Sequence, residues 1–143
     1  MEKNVSVVFK EFEKVKGSLE HLVGVFNVLQ EVTSISELTA DELSLYFSMQ
    51  NVANQLENSI RLIENANKDV LVEGYLKKKQ NERFDLDGIE LSSGITIEIW
   101  LDDEKLIDGG YYYLTRLELI DGDYRLYDNP YMKLDGKKAR LKG

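Results

Sequence analysis

The acidic turns are the first places where the residue types could do chemistry, because closely spaced carboxylates can bind calcium. Segment 85–88 begins like a calcium-binding loop, but its glycine is fourth rather than sixth. Thr96 occupies the twelfth position, where a bidentate glutamate belongs. Segment 121–123 fails in a similar way, since Arg125 occupies its fifth position. Neither segment therefore predicts a metal site.

The other common catalytic residue types are scarce. The chain has one histidine, His21, and no cysteine, so it can build neither a thiolate zinc site nor a histidine-based triad with a placed nucleophile. The pair Gly109 and Gly110 is typical of a turn rather than of a phosphate-binding loop. We therefore expect no enzyme activity, no metal and no cofactor.

Aromatic residues are concentrated in the second half of the chain. Tyrosine and tryptophan are enriched at protein interfaces, so these rings predict a surface for a protein partner. The six candidates are Trp100, Tyr111, Tyr112, Tyr113, Tyr127 and Tyr131. The alternative is that they fill the core of the second half or its junction with the first.

Basic residues near the C-terminal end of the chain form a second candidate site. They are Lys137, Lys138, Arg140 and Lys142. Together with exposed tyrosines they could form a stacking platform for single-stranded nucleic acid. A net charge of −8 opposes this reading, because nucleic-acid binding depends on concentrated positive charge. The alternative is a charged edge strand that resists aggregation.

The elements that would carry these residues differ between the two halves. Over residues 4–29 the apolar residues follow the 3-4 spacing of a coiled coil, from Val5 to Leu29. Thr39 and Glu42 match a capping box, which predicts a second helix over residues 40–66. Since a loop of about ten residues separates the helices, we expect an antiparallel hairpin.

A hairpin of this length leaves apolar residues without a partner. Each helix would be roughly 38 Å long, and a pair of helices covers only one side of each. We therefore predict a homodimer in which two hairpins form a four-helix bundle. Its contact residues would be Phe12, Leu19, Leu22, Phe26, Phe47, Leu56, Ile60 and Ile63. The alternative is that the second half folds back over the spare face.

Near residue 70 the apolar pattern changes to the alternation that is typical of strands. Asp-Gly pairs at 87–88 and 121–122 predict two-residue hairpin turns. Around the second turn we expect the cross-strand pairs Leu117–Leu126 and Leu119–Tyr124 on the core face, and Glu118–Arg125 on the other face. Arg116 would stack on Tyr127 as a cation–π pair.

Five or six short strands in about 70 residues favour a small barrel or sandwich. The predicted fold class is therefore α+β: a coiled-coil-like antiparallel helical hairpin over residues 1–69, followed by a small SH3-like antiparallel β-barrel over residues 70–143. A last strand over residues 137–142 would point Ala139 and Leu141 inward.

The second half also resembles a known family. The resemblance covers residues 74–141 and rests on RFDLDGIELSSG at 83–94, IEI at 97–99, RLE at 116–118 and LDGKKARL at 134–141. The family is an uncharacterised small β-barrel domain of Gram-positive bacteria, often found in phages and mobile elements. The resemblance implies a barrel fold and a mobile-element context, and it implies no catalytic site.

Taken together, these features predict a soluble cytoplasmic interaction protein. The alternative is a nucleic-acid-binding small barrel that uses the basic residues near its C-terminal end. The cytoplasm is favoured because the chain lacks cysteine and because its first residues include glutamates where a signal peptide carries positive charge. No apolar run approaches the ~18 residues that cross a bilayer. The leading hypothesis is a homodimeric accessory or inhibitor protein that binds a protein partner.

Overall fold

The computed structural model describes the backbone of residues 2–143 and the side chains of residues 4–143. The chain divides into two compact units, Met1–Asn67 and Lys68–Gly143. The first is a helical hairpin and the second is a curled antiparallel sheet, which confirms the predicted α+β class. In the part of the chain that is described, no helix is long and apolar enough to span a membrane.

The helical unit contains α1, Glu2–Val32, and α2, Ala40–Ala66, with a short 3-10 helix at Ile35–Glu37 between them. The predicted capping box is confirmed at the start of α2. The amide of Glu42 donates to Thr39 Oγ1 at 3.2 Å, and the amide of Thr39 donates to Glu42 Oε1 at 3.1 Å. The hydrogen bond from the Thr39 backbone lowers the pKa of the Glu42 carboxyl below its ordinary value.

In part of α1, the residue that is buried in the hairpin is the neighbour of the one that was predicted. Val23 is 8% exposed, whereas Leu22, which the 3-4 spacing places in the seam, is 55% exposed. Phe26 packs against Tyr46 with 5.5 Å between ring centroids. Near the other end of the hairpin, Lys16 Nζ bridges to Glu64 Oε1 at 3.1 Å, and this contact raises the pKa of Lys16.

The second unit is a seven-stranded antiparallel sheet that curls into a half-barrel. Its strands are β1 Val70–Lys78, β2 Phe84–Leu86, β3 Ile89–Glu90, β4 Thr96–Asp102, β5 Gly110–Ile120, β6 Asp123–Leu126 and β7 Lys138–Lys142. They are ordered β3-β2-β1-β7-β4-β5-β6. The concave side encloses an apolar core whose most buried members are Leu76, Leu86, Leu91, Ile97, Ile99, Leu117, Leu126 and Ala139.

Both Asp-Gly turns form as predicted. Asp87 and Gly88 have φ of 49° and 86°, and Asp121 and Gly122 have 51° and 84°, which is the left-handed backbone that this hairpin turn requires. The three cross-strand pairs expected around the second turn are confirmed.

One part of that prediction is wrong, because Leu119 is 52% exposed rather than in the core. Residues of β5 up to Arg116 pair with β4, whereas Leu119 lies further along, where β5 pairs with the edge strand β6. The sheet therefore covers Leu117 but leaves Leu119 half open.

The C-terminal strand corrects a second prediction. Ala139 and Leu141 point inward as expected, with β7 paired to β1 on one side and to β4 on the other. The basic residues Lys138, Arg140 and Lys142 therefore belong to a strand in the middle of the sheet and not to an edge strand, and Lys137 directly precedes that strand. Inward alternation fixes which face a residue occupies, but it does not fix which strands lie beside it.

Candidate binding surfaces

The convex face of the sheet brings together residues from both candidate sites. Strand register places Trp100 opposite Tyr112, and Glu98 opposite both Leu114 and Arg140. On the other side of β7, Glu73 lies opposite Arg140. We call this surface the aromatic–basic face, and it consists of Glu73, Glu98, Trp100, Tyr112, Lys138 and Arg140.

Arg140 is the centre of this face. Its Nε donates to Glu98 Oε2 at 2.6 Å, and its guanidinium carbon lies 3.8 Å from the centroid of the Tyr112 ring. Lys142 Nζ lies 3.8 Å from the other Glu98 oxygen. Glu98 is only 8% exposed, and its carboxylate lies between the cations of Arg140 and Lys142.

Lys138 and the aromatic rings form the adjoining part of the face. Lys138 Nζ lies 5.0 Å from the Trp100 ring centroid and 3.9 Å from Glu73 Oε1. Trp100 meets Tyr112 edge to face at 5.1 Å, and its indole N–H donates to Asp102 at 2.9 Å. The cations are therefore already paired with carboxylates and rings of the same sheet.

Glu73 and Glu98 also belong to this surface, although neither was among its predicted residues. Alternation along β4 places Glu98 and Trp100 on one face, and that signal was readable in the sequence. The position of Glu73 was not readable, because it depends on β1 lying beside β7.

The phenol of Tyr112 has a raised pKa. Burial raises its pKa to about 12, and a hydrogen bond that its hydroxyl donates to Glu73 acts in the same direction. Because the folded pKa lies above the unfolded one, this contribution to stability is complete below about pH 10 and is lost as the pH rises towards 12.

We expect an absorbance titration of the phenols to show one tyrosine that ionises about two pH units after an ordinary one. The Tyr112→Phe variant should lack this late step and keep the others. If the absorbance that the variant loses has its midpoint near an ordinary value of about pH 10, Tyr112 is not held in this way.

The remaining candidate aromatic residues are not part of the aromatic–basic face and do not form one cluster. Tyr113 donates to Asp128, which also accepts from Thr115 Oγ1 at 2.5 Å. The predicted stacking of Arg116 on Tyr127 is confirmed, at 4.4 Å. Tyr111 and Tyr127 are about half exposed.

Tyr131 is the most exposed of these rings, at 90%. It lies at the rim of a cleft of about 460 Å³. The cleft is lined by apolar and aromatic residues together with charges of both signs, among them Phe84, Tyr124, Met132, Lys78, Arg125 and Asp123. Six aromatic residues were predicted to contact a partner. Three of them are partly buried, namely Trp100, Tyr112 and Tyr113, and three are exposed, namely Tyr111, Tyr127 and Tyr131.

The hairpin has an open apolar groove of about 400 Å³ along one side. One wall comes from α1 and the other from α2, and Ser48 is the only polar residue that lines it. The residues at its rim are Leu22, Val25, Leu29, Leu45, Met49 and Val52, and we call this surface the hairpin groove.

The predicted dimerisation residues do not form one continuous surface. Leu22, Phe26 and Leu56 line the hairpin groove, although Phe26 is itself buried against α2. Ile63 is also buried within the hairpin, and Leu19 and Ile60 are partly buried.

Phe12 and Phe47 lie apart from this groove. Phe12 is half exposed beside Val5 and Val8. Lys16 of α1 meets Glu64 close to the end of α2, so Phe12 lies beyond the part of α1 that α2 covers. Phe47 contacts the ring of Tyr46 at 5.7 Å and does not line the groove.

Among the described residues there is no group of three or more histidine, cysteine, aspartate or glutamate side chains that could hold a metal ion. Searches of curated proteins and of solved structures each found no match to the chain. Residues 74–141, which run from β1 into β7 and are the stretch in which the sequence analysis found a resemblance, match the family model described as Domain of unknown function (DUF5348).

Proposed function

We propose that this chain is a non-catalytic interaction protein, in which the helical hairpin joins two copies and the β unit binds a partner. The observation that carries the proposal is the apolar surface that the hairpin leaves open. Leu45 is 62% exposed and Val52 is 54% exposed, on the same side as the half-exposed Leu22. Soluble proteins seldom leave contiguous apolar surface of this kind uncovered.

The physical reason for self-association is the shape of a helical hairpin. Each helix of a pair covers one side of its neighbour, so an amphipathic helix with a wide apolar stripe needs a second contact. A four-helix arrangement supplies that contact with the same kind of knobs-into-holes packing as the hairpin itself.

The test is the mass of the full chain in solution. Light scattering across a concentration series should approach twice the 16.5 kDa of one chain. The mass should not fall in high salt, since apolar contacts are not screened by salt. A strict monomer at the highest concentration would contradict the proposal.

For the β unit we propose a protein partner that contacts the exposed tyrosines. Tyr111 and Tyr131 offer aromatic area that the sheet does not use, and such rings carry much of the binding energy at interfaces. Tyr127 is half exposed, although Arg116 stacks on its ring. The proposal includes the cytoplasmic location and the mobile-element accessory or inhibitor role implied by the resemblance.

A pull-down from a host lysate with mass spectrometry tests this part. The wild-type chain should retain one protein that the Tyr131→Ala variant retains poorly, and Tyr131 is exposed enough for the substitution to leave the fold intact. Equal retention by the two chains counts against a contact at Tyr131.

Nucleic-acid binding is the second candidate function. It is favoured by one observation, which is that Lys138 and Arg140 lie on the same face as Trp100 and Tyr112. It is opposed by the net charge of −8 and by Glu73 and Glu98, which pair with these cations.

Fluorescence anisotropy with a labelled single-stranded oligonucleotide at low salt decides this alternative. Binding that weakens with salt and with Lys137→Glu and Lys138→Glu would support it. Anisotropy that does not change up to high protein concentration would exclude it.

A further inference from the structure

We infer that the two copies pack groove to groove, so that the hairpin groove of one chain is covered by the hairpin groove of a second copy. This inference rests on the self-association proposed above and names the surface that performs it. The occupant is a second copy of this chain, related to the first by a two-fold axis.

The spacing of the groove residues is the first argument. On α1 the apolar residues Val8, Val15, Leu22 and Leu29 recur every seven positions, and so do Val25 and Val32. On α2 the same interval separates Leu45 from Val52, and Met49 from Leu56. These residues form a second heptad seam beside the one that is buried within the hairpin, and such a seam is the pattern that packs against another helix.

The chemistry of the groove is the second argument. No charged residue lines it, and its one polar lining residue is Ser48, whose hydroxyl donates to the carbonyl of Ser44 at 3.1 Å. A polar or charged occupant would therefore lose its hydration without gaining a partner. An apolar helical surface of the same shape and period satisfies the groove, and the chain itself carries one.

The exposed area is the third argument. Seven apolar side chains on this side are substantially exposed: Val15, Leu22, Val25, Val32, Leu45, Met49 and Val52. At about half exposure they offer on the order of 350 Å² of apolar area. The smaller stable interfaces bury about 600 Å² per partner, of which about 65% is apolar in homodimers, or about 390 Å². The groove side thus offers about nine-tenths of the apolar area that the smallest such interface buries, so the whole of this side would have to take part.

Phe47 of α2 is a half-exposed apolar residue that does not line the groove. It lies two positions after Leu45 and therefore on another face of α2. Its ring contacts the edge of the Tyr46 ring. Phe47 therefore provides the matched control position for the experiment.

The chain contains no cysteine, so single-cysteine variants report one position at a time. We expect maleimide labelling of Val25→Cys and Met49→Cys in the full chain to slow about tenfold where chains in the dimer outnumber free chains about tenfold, because only the monomer exposes the thiol. A short bismaleimide should link Val25→Cys to itself or, in a mixture, to Met49→Cys. The control variant Phe47→Cys should label at the same rate at all concentrations.

The outcomes separate this inference from the proposed function. A dimer by light scattering, with unprotected groove thiols and a protected Phe47→Cys thiol, overturns the groove interface and leaves self-association standing. A dimer in which no helical thiol is protected overturns it too. A chain that is monomeric at every concentration overturns both.

Discussion

The Leu22→Asp variant is expected to be monomeric at concentrations where the wild-type chain is a dimer. Leu22 is 55% exposed in the single chain, so an aspartate there is hydrated in the monomer and should not unfold the hairpin. In the groove-to-groove dimer the two-fold axis places the substitution in the interface twice, and each carboxylate would lose its water among apolar side chains. The dissociation constant should rise at least about 100-fold, or about 2.8 kcal/mol.

Sedimentation velocity over a dilution series measures this change, and far-ultraviolet circular dichroism verifies that the helices remain. Phe47→Asp is the matched control, because Phe47 is about equally exposed but lies on another face of the hairpin and does not line the groove. The control should dimerise like the wild type. If the two variants dimerise equally well, the interface lies elsewhere on the hairpin.

Replacing Glu98 by alanine is expected to destabilise the β unit by about 3 kcal/mol, since breaking a buried ion pair leaves its partner's charge uncompensated. The carboxylate of Glu98 accepts a hydrogen bond from Arg140 at 2.6 Å and lies between that residue and Lys142. Its removal would leave two cations close together at the middle of the sheet. The stacking of Arg140 on Tyr112 would then be the main contact that holds the guanidinium.

Urea unfolding followed by tryptophan fluorescence measures this loss. Trp100 is the only tryptophan and lies in the aromatic–basic face, so its emission reports on the β unit and not on the hairpin. Glu82→Ala is the control, because its side chain is 62% exposed in its ion pair with Lys78 and an exposed pair contributes up to about 1 kcal/mol. Equal losses in the two variants would mean that Glu98 does not hold the face together.

The network around Glu98 also bears on the choice between the two proposed functions. A nucleic acid that stacked on Tyr112 would have to displace Arg140 from its ring, and a phosphate that bound Arg140 would compete with Glu98. Tyr111 and Tyr131 lie outside this network, and among the described residues no cation stacks on their rings, so they carry no such cost. This difference is the physical reason to prefer a protein partner at the β unit.

Local interactions were determined by the sequence itself. The capping box at Thr39 forms because its two hydrogen bonds join residues three positions apart. The Asp-Gly turns form because glycine and aspartate accept a positive φ, and each turn then fixes the register of its own hairpin. The heptad spacing likewise determined that the first half is a pair of long helices.

Only the tertiary structure decided which distant elements lie side by side. The heptad pattern predicts a wide apolar stripe on each helix. The packing of α1 on α2 then determines that Val23 is buried and that Leu22 lies at the groove. Alternation placed Lys138 and Arg140 on the outer face, but the insertion of β7 between β1 and β4 brought them to Glu73, Glu98 and Tyr112. A repeat along the chain specifies the face on which a side chain lies, whereas its neighbours depend on long-range strand order that no local period encodes.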